Sequence, residues 1–308
     1  MVIDLQEQKE LTFTLKVKKE VFQNKQFRQK NKIAQCYGLL LFGRTFSEDN
    51  ISIITENKGV SRLYSNFIYD VIGIDGTVTI NEIKQGKLKS IYLISVDMEQ
   101  DRKKILEFFG HDIIKDKINF DILKTDNDID AFLSGVYLAC GTITDPLKAY
   151  QLEFIVNSKE SAISFSDLLF MIRIKHGITE RRGQHVIYIK ESAQIENILT
   201  RMGATKNVFE LMDIKIYKDI RNNVNRQTNC VTANIDKTVK ASSKQIEAIK
   251  KIAENKGLDS LPNDLKELAV LRLENPDMSL RELGENNSMK LSRSAVNHRM
   301  EKLIALIK

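Results

Sequence analysis

The chain has 308 residues, 42% hydrophobic and 29% charged, a make-up that fits two or three folded domains and excludes a disordered polypeptide. No apolar run approaches the ~20 residues of a membrane-spanning helix, and residues 1–7 lack the layout of a secretory signal, so a cytoplasmic location is expected. The net charge of +6 suits a polyanionic partner and equally suits a lysine-rich source, while Cys36, Cys140, Cys230 and four histidines are too scattered for a zinc site, so no metal or cofactor is expected. Basic residues gather at the ends. Residues 9–32 hold eight against Glu10 and Glu20, and residues 221–308 hold sixteen against eleven acidic ones, a surplus of five.

Apolar, β-branched stretches at 51–54, 78–80, 91–96, 150–156 and 185–190 have the length of strands. Helical patterns lie between them at 34–42, 62–69, 102–109, 131–140, 166–174 and 194–202. The order helix, strands, helix, strands, helix occurs twice, which predicts an α+β fold made by internal duplication of an αββαββα unit. The best-matching helices each carry one internal glycine, Gly38 and Gly135. A mid-helix glycine costs about 1 kcal/mol against alanine, so these two are expected to let the paired helices of the repeats approach closely.

Beyond residue 190 the strand signals fade. An asparagine-rich, turn-forming segment at 221–230 marks a basic helical linker, placed at 221–258, with a helix from about 243 to 254. The domain plan is therefore a first repeat at 1–120, a second at 121–220, the linker, and a helical domain at 259–308.

That last domain has the clearest local signals. Leu265, Leu268, Ala269, Leu271 and Leu273 repeat at helical spacing and stop at Asn275-Pro276. Ser279 with Glu282 forms a capping box for a short second helix that finishes near Gly284, and Ser292 can cap a third. In the third helix Val296, Met300, Leu303 and Ile307 make a buried stripe. Its other side offers Arg293, Ser294, Asn297, His298, Arg299 and Lys302, the donors that read guanine and adenine edges or hold phosphates. Ser279, Ser292 and Ser294 suit phosphate contacts at helix starts. A helix-turn-helix that binds double-stranded DNA is the reading that joins these features.

Residues 133–141, Leu-Ser-Gly-Val-Tyr-Leu-Ala-Cys-Gly, resemble the LAGLIDADG helix of homing endonucleases, and residues 36–44 are a weaker copy. Two such helices followed by Ser-Arg-Ser-Ala-Val-Asn-His-Arg at 292–299 resemble the WhiA family of bacterial regulators, as do Asn229-Cys230-Val231-Thr232-Ala233-Asn234, Leu261-Pro262, Leu271-Arg272-Leu273, Pro276-Asp277 and Leu283-Gly284-Glu285. The resemblance covers essentially the whole chain. It implies a nucleoid-associated transcription regulator linked to cell division, chromosome segregation or sporulation, with the transcription machinery or another regulator as candidate partners.

A LAGLIDADG nuclease needs an acidic residue at the eighth motif position of each copy to hold divalent metal. Those positions here are Gly43 and Cys140, and Asp145 falls in a turn beyond, so no catalytic residues are expected. Arg44, Lys159, Arg173, Lys175, Arg181 and Arg182 are candidates for contacts from the LAGLIDADG-like saddle, with Arg181-Arg182-Gly183 as a loop; each equally fits a solvated basic surface. An architectural or protein-docking role for that domain is the alternative reading.

Overall fold

The computed structural model describes residues 11–74, 78–85, 89–111 and 116–307. They form two compact units, divided between Tyr217 and Lys218. The first opens with helices α1 (Phe13–Gln23), α2 (Lys25–Lys30) and α3 (Lys32–Leu41). There follow β1 (Thr45–Phe46), β2 (Ile51–Thr55), α4 (Lys58–Phe67) with a π-helical turn at Ile68–Ile72, β3 (Val78–Gln85), β4 (Lys89–Val96) and α5 (Glu99–Phe108). The second half of the unit comprises α6 (Asp126–Cys140), β5 (Gly141–Ile143), β6 (Leu152–Val156), α7 (Lys159–Met171), β7 (Gly177–Arg181), β8 (Gln184–Ile189) and α8 (Ser192–Arg201).

The duplicated αββαββα plan is present. From α3 to α5 and from α6 to α8 the elements follow the same order, and the two four-stranded antiparallel sheets run β1-β2-β4-β3 and β5-β6-β8-β7. In each central pair an apolar register faces the helices, Ile53 opposite Ile94 in one and Phe154 opposite Ile187 in the other, with three of these four fully buried and Ile53 nearly so. Several of the helices start where a side chain satisfies their free first-turn amides: Asn57 caps α4, Ser158 caps α7, and Thr125 with Asp128 forms a capping box on α6.

Helices α3 and α6 pack at the middle of the unit with their glycines at the contact. A Cβ on Gly38 would lie 2.3 Å from the Phe132 carbonyl oxygen, and one on Gly135 would lie 2.2 Å from that of Gln35. The obstacle is backbone on both sides, so only glycine allows this separation. Beside the glycines, the buried Gln35 donates from Nε2 to Ser134 Oγ at 2.8 Å.

Two sequence expectations are corrected here. The basic N-terminal run contains α1, whose Phe13, Val17 and Val21 are buried one turn apart, and its charges are partly consumed internally: Lys16 pairs with Glu210 at 2.7 Å and Lys32 with Asp70 at 3.0 Å. Lys9 lies outside the described residues. The asparagine-rich segment is not a break between helices, because one helix, α9, runs from Thr205 to Asn255. From Asp219 to Ala241 every residue is exposed, so polarity there reflects solvation of a helix and not a turn.

The second unit is all helical: the end of α9, then α10 (Asn263–Glu274), α11 (Leu280–Asn286) and α12 (Arg293–Ala305). Ile249 and Ile252 of α9 share its core with Leu265, Leu268, Leu283, Val296, Met300 and Leu303. Helix α11 runs to Asn286, past Gly284, where a Cβ would lie 2.1 Å from the Leu291 carbonyl oxygen. That glycine lets the chain turn back tightly, and Leu291 N donates to Gly284 O at 2.9 Å.

Candidate nucleic-acid interface

The turn between α11 and α12 is held from α10. Glu267 accepts from the Ser288 amide and from its hydroxyl, both at 2.7 Å, and these bonds lower its pKa. Ser279 and Glu282 form the capping box of α11, with Ser279 N donating to Glu282 Oε2 at 2.7 Å. Ser292 caps α12 by accepting from Ala295 N at 3.3 Å. Both serines thus serve helix starts first. Their remaining lone pairs and protons are what a phosphate could use.

Helix α12 is seated by Val296, Met300 and Leu303, all buried. At 100° per residue the outward face carries Ser294, His298, Glu301 and Lys302, all exposed, and the flank toward α11 carries Arg293 and Asn297. Arg293, Ser294, Asn297 and His298 fall together on the first two turns, where a recognition helix meets base edges. Asn297 donates to Glu301 Oε1 at 2.9 Å, an exposed contact one turn away.

Arg299 sits on the opposite flank. Its Nε lies 3.2 Å from Asp264 Oδ2 of α10 and its Nη1 donates to the Ala295 carbonyl at 3.4 Å. The sequence grouped Arg299 with the base-reading residues; the structure separates it from them and gives it a partner inside the domain.

The described open faces of the two sheets combine uncharged rows with few cations, and on the second Lys190 stands over the Tyr188 ring. On the first, the register places Thr45, Ser52, Ser95 and Thr79 in one row and Ile54, Leu93 and Asn81 in the next, none of them cationic. On the second, Arg181 Nη1 lies 2.9 Å from Glu153 Oε1. Arg182 and Gly183, both at positive φ (53° and 74°), form the two-residue turn between β7 and β8, which leaves Arg182 exposed at the tip. Lys175 pairs with Glu191.

At the C-terminal end of α6, where the eighth motif position lies, Cys140 stands beside Lys18 of α1. The Lys18 ammonium donates to the Leu138 carbonyl at 3.1 Å. Burial pushes its pKa down to about 8 against the pull of Cys140 and Glu56, and burial pushes the Cys140 thiol up to about 12. A divalent metal needs several hard anionic oxygens; this place offers a protonated thiol and an ammonium with the single carboxylate of Glu56 near it, Gly43 offers no side chain, and among the described residues no three acidic, histidine or cysteine side chains gather to hold a metal. The residues do not fit the metal of a LAGLIDADG nuclease. Asp145 is taken up in a local turn, accepting from Leu147 N at 2.9 Å. Nothing in the local sequence marks Lys18, since only the packing of α1 against α6 brings it there.

Among the described residues no helix is long and apolar enough to cross a membrane. The model of the WhiA LAGLIDADG-like domain matches residues 129–221, and that of the WhiA C-terminal HTH domain matches residues 224–307. The chain is similar to the "Probable cell division protein WhiA" of Clostridium botulinum, 35% identical over 95% of this chain and 96% of that protein. The protein of the same description from Clostridium tetani is 34% identical over the same shares. Among solved structures, full-length DUF199/WhiA from Thermotoga maritima matches over 96% of this chain and 98% of that one, with 24% identity and a TM-score of 0.57, a likeness of fold.

Proposed function

The chain belongs to the WhiA family, and from that premise we propose that it is a non-catalytic regulator that binds double-stranded DNA through the third helix of its C-terminal unit. The observation that carries this reading is the division of α12: a buried stripe of Val296, Met300 and Leu303 fixes the helix, and Arg293, Ser294, Asn297 and His298 stand exposed on its first two turns. Arginine and asparagine in those places can make paired hydrogen bonds to guanine and adenine, each worth about 1–3 kcal/mol of discrimination. The name of the clostridial relatives supports a role in cell division, and control of transcription is the form of that role which a base-reading helix serves. Chromosome segregation and sporulation are further processes such a regulator would serve. A cytoplasmic, nucleoid-associated location follows from DNA as partner, with the transcription machinery or another regulator as a second one.

Absence of nuclease activity is supported by Lys18 and Cys140 at the place where acidic ligands would stand. The uncharged rows of Thr45, Ser52, Ser95 and Thr79 and of Ile54, Leu93 and Asn81 on the first sheet favour a second reading for the N-terminal unit, in which it docks a protein and does not grip DNA. Selection of bound duplexes from a random pool tests the main reading. The full chain should enrich a short motif, and Arg293→Ala should degrade it; equal recovery of all sequences by the native chain would refute base reading.

A further inference from the structure

Within the C-terminal unit, a cleft of about 450 Å³ opens between α9 on one side and the starts of α11 and α12 on the other. That volume falls in the range of small-ligand clefts, roughly 300–1,000 Å³. Four of the side chains that line it are cationic, Lys237, Arg272, Arg281 and Arg293, and none is acidic. The sequence had assigned only Arg293 among these to a partner. Lys237 comes from the exposed stretch of α9, outside the helix-turn-helix.

Arg272 is the informative member. It is 1% exposed, yet its Nη1 meets only neutral acceptors: the carbonyls of Met278 at 2.6 Å and Pro276 at 3.3 Å, and Ser242 Oγ at 3.5 Å. Among the described residues its Nε is buried without a hydrogen-bond partner. A buried guanidinium without a carboxylate is costly unless something else supplies the negative charge. Among the described residues Arg281 is held by an exposed pair to Glu285 at 2.9 Å, an interaction of low worth that a phosphate can displace. Arg293 and Asn297 line the same cleft and belong to the base-reading end of α12.

We propose that this cleft is a phosphate-binding site that grips the DNA backbone beside the bases read by α12, with Lys237 as a contact contributed by the long helix. The proposal rests on the reading of α12 as the recognition helix. Its chemistry is that of a phosphodiester among lysine and arginine donors, with the buried Arg272 charge raising the potential at its floor. The contact positions the protein on the duplex and carries no sequence information. A free nucleotide offers the same phosphate chemistry, and the test separates the two sources.

The experiment measures binding of the full chain to a duplex carrying its selected motif and to a scrambled duplex across a salt series, for native protein, Lys237→Ala and Arg293→Ala. Lys237 is exposed, so its variant retains the fold, which circular dichroism checks. Loss of one phosphate contact lowers the slope of log K against log[salt] by about 0.9, and hence the affinity by about fivefold at 0.15 M salt, equally on both duplexes. Lys237→Ala should show that uniform loss, while Arg293→Ala should remove the preference between duplexes. If Lys237→Ala leaves slope and affinity unchanged while Arg293→Ala abolishes the preference, the cleft proposal is overturned and base reading stands. If neither variant changes binding, both fail. Calorimetric titration with ATP in place of DNA completes the test: nucleotide binding lost in Lys237→Ala, with its DNA salt slope intact, would overturn the backbone assignment in favour of a small-ligand site.

Discussion

Arg299 and Asp264 form a bridge between α12 and α10, with the guanidinium Nε 3.2 Å from the carboxylate and both side chains partly buried. The pair places Arg299 in the framework of the domain and leaves Arg293 to face outward. Arg299→Ala should therefore lower the thermal stability of the C-terminal unit by up to about 1 kcal/mol, and Asp264→Ala by a similar amount. Neither should change which DNA sequence is preferred. A shift of motif in Arg299→Ala, found by sequence selection, would return Arg299 to the reading face.

Lys18 gives a dependence on pH whose sign is fixed by its surroundings. Burial holds its folded pKa at about 8 against an ordinary 10.5, so between these values the unfolded chain binds more protons and stability rises with pH. Below about pH 8 the full cost is present, up to about 3 kcal/mol. Lys18→Met should leave stability near pH 7 unchanged or raise it, and should remove the gain that native protein shows on going to about pH 10. Urea unfolding at several pH values reads this directly; a variant that is destabilised at neutral pH and keeps the native pH profile would show that Lys18 is not the desolvated, partly buried cation described.

The glycine crossing is the most position-sensitive part of the N-terminal unit. Gly135→Ala would put a methyl group 2.2 Å from the Gln35 carbonyl oxygen, and the helices can only answer by moving apart. A loss of about 3 kcal/mol or more is expected, at the upper end of overpacking costs. Alanine at Gly183, where no atom lies within 4 Å, costs only the strain of positive φ and serves as the comparison. Thermal melts of the two variants should differ clearly, and equal melting points would contradict the close approach.

What was legible in the sequence is what local chemistry determines. The capping box at Ser279 and Glu282, the cap at Ser292 and the stripe of Val296, Met300 and Leu303 involve residues a few positions apart, and all appear in the structure. The strands β2, β3, β4, β6 and β8 and the paired glycine helices were visible for the same reason, whereas β1, β5 and β7, short or polar, were not read from the sequence. The partner of Arg299 was not legible, because helical spacing gives its angle on α12 but not that Asp264, 35 residues away, lies on its side. Lys18 was invisible because the contact with Leu138 spans 120 residues. The continuous α9 was hidden by its lack of packing: the exposed stretch through Asn222, Asn223 and Asn225 shows no apolar burial to mark it as helix.

The central claim is that this chain reads DNA sequence with the first turns of α12. Its most direct test is genome-wide capture of bound DNA in cells, comparing native protein with the Arg293→Ala/Asn297→Ala double variant at equal abundance. The account predicts a short enriched motif for the native chain that disappears in the double variant. The same motif at the same sites in both would contradict it, and would move sequence recognition away from α12.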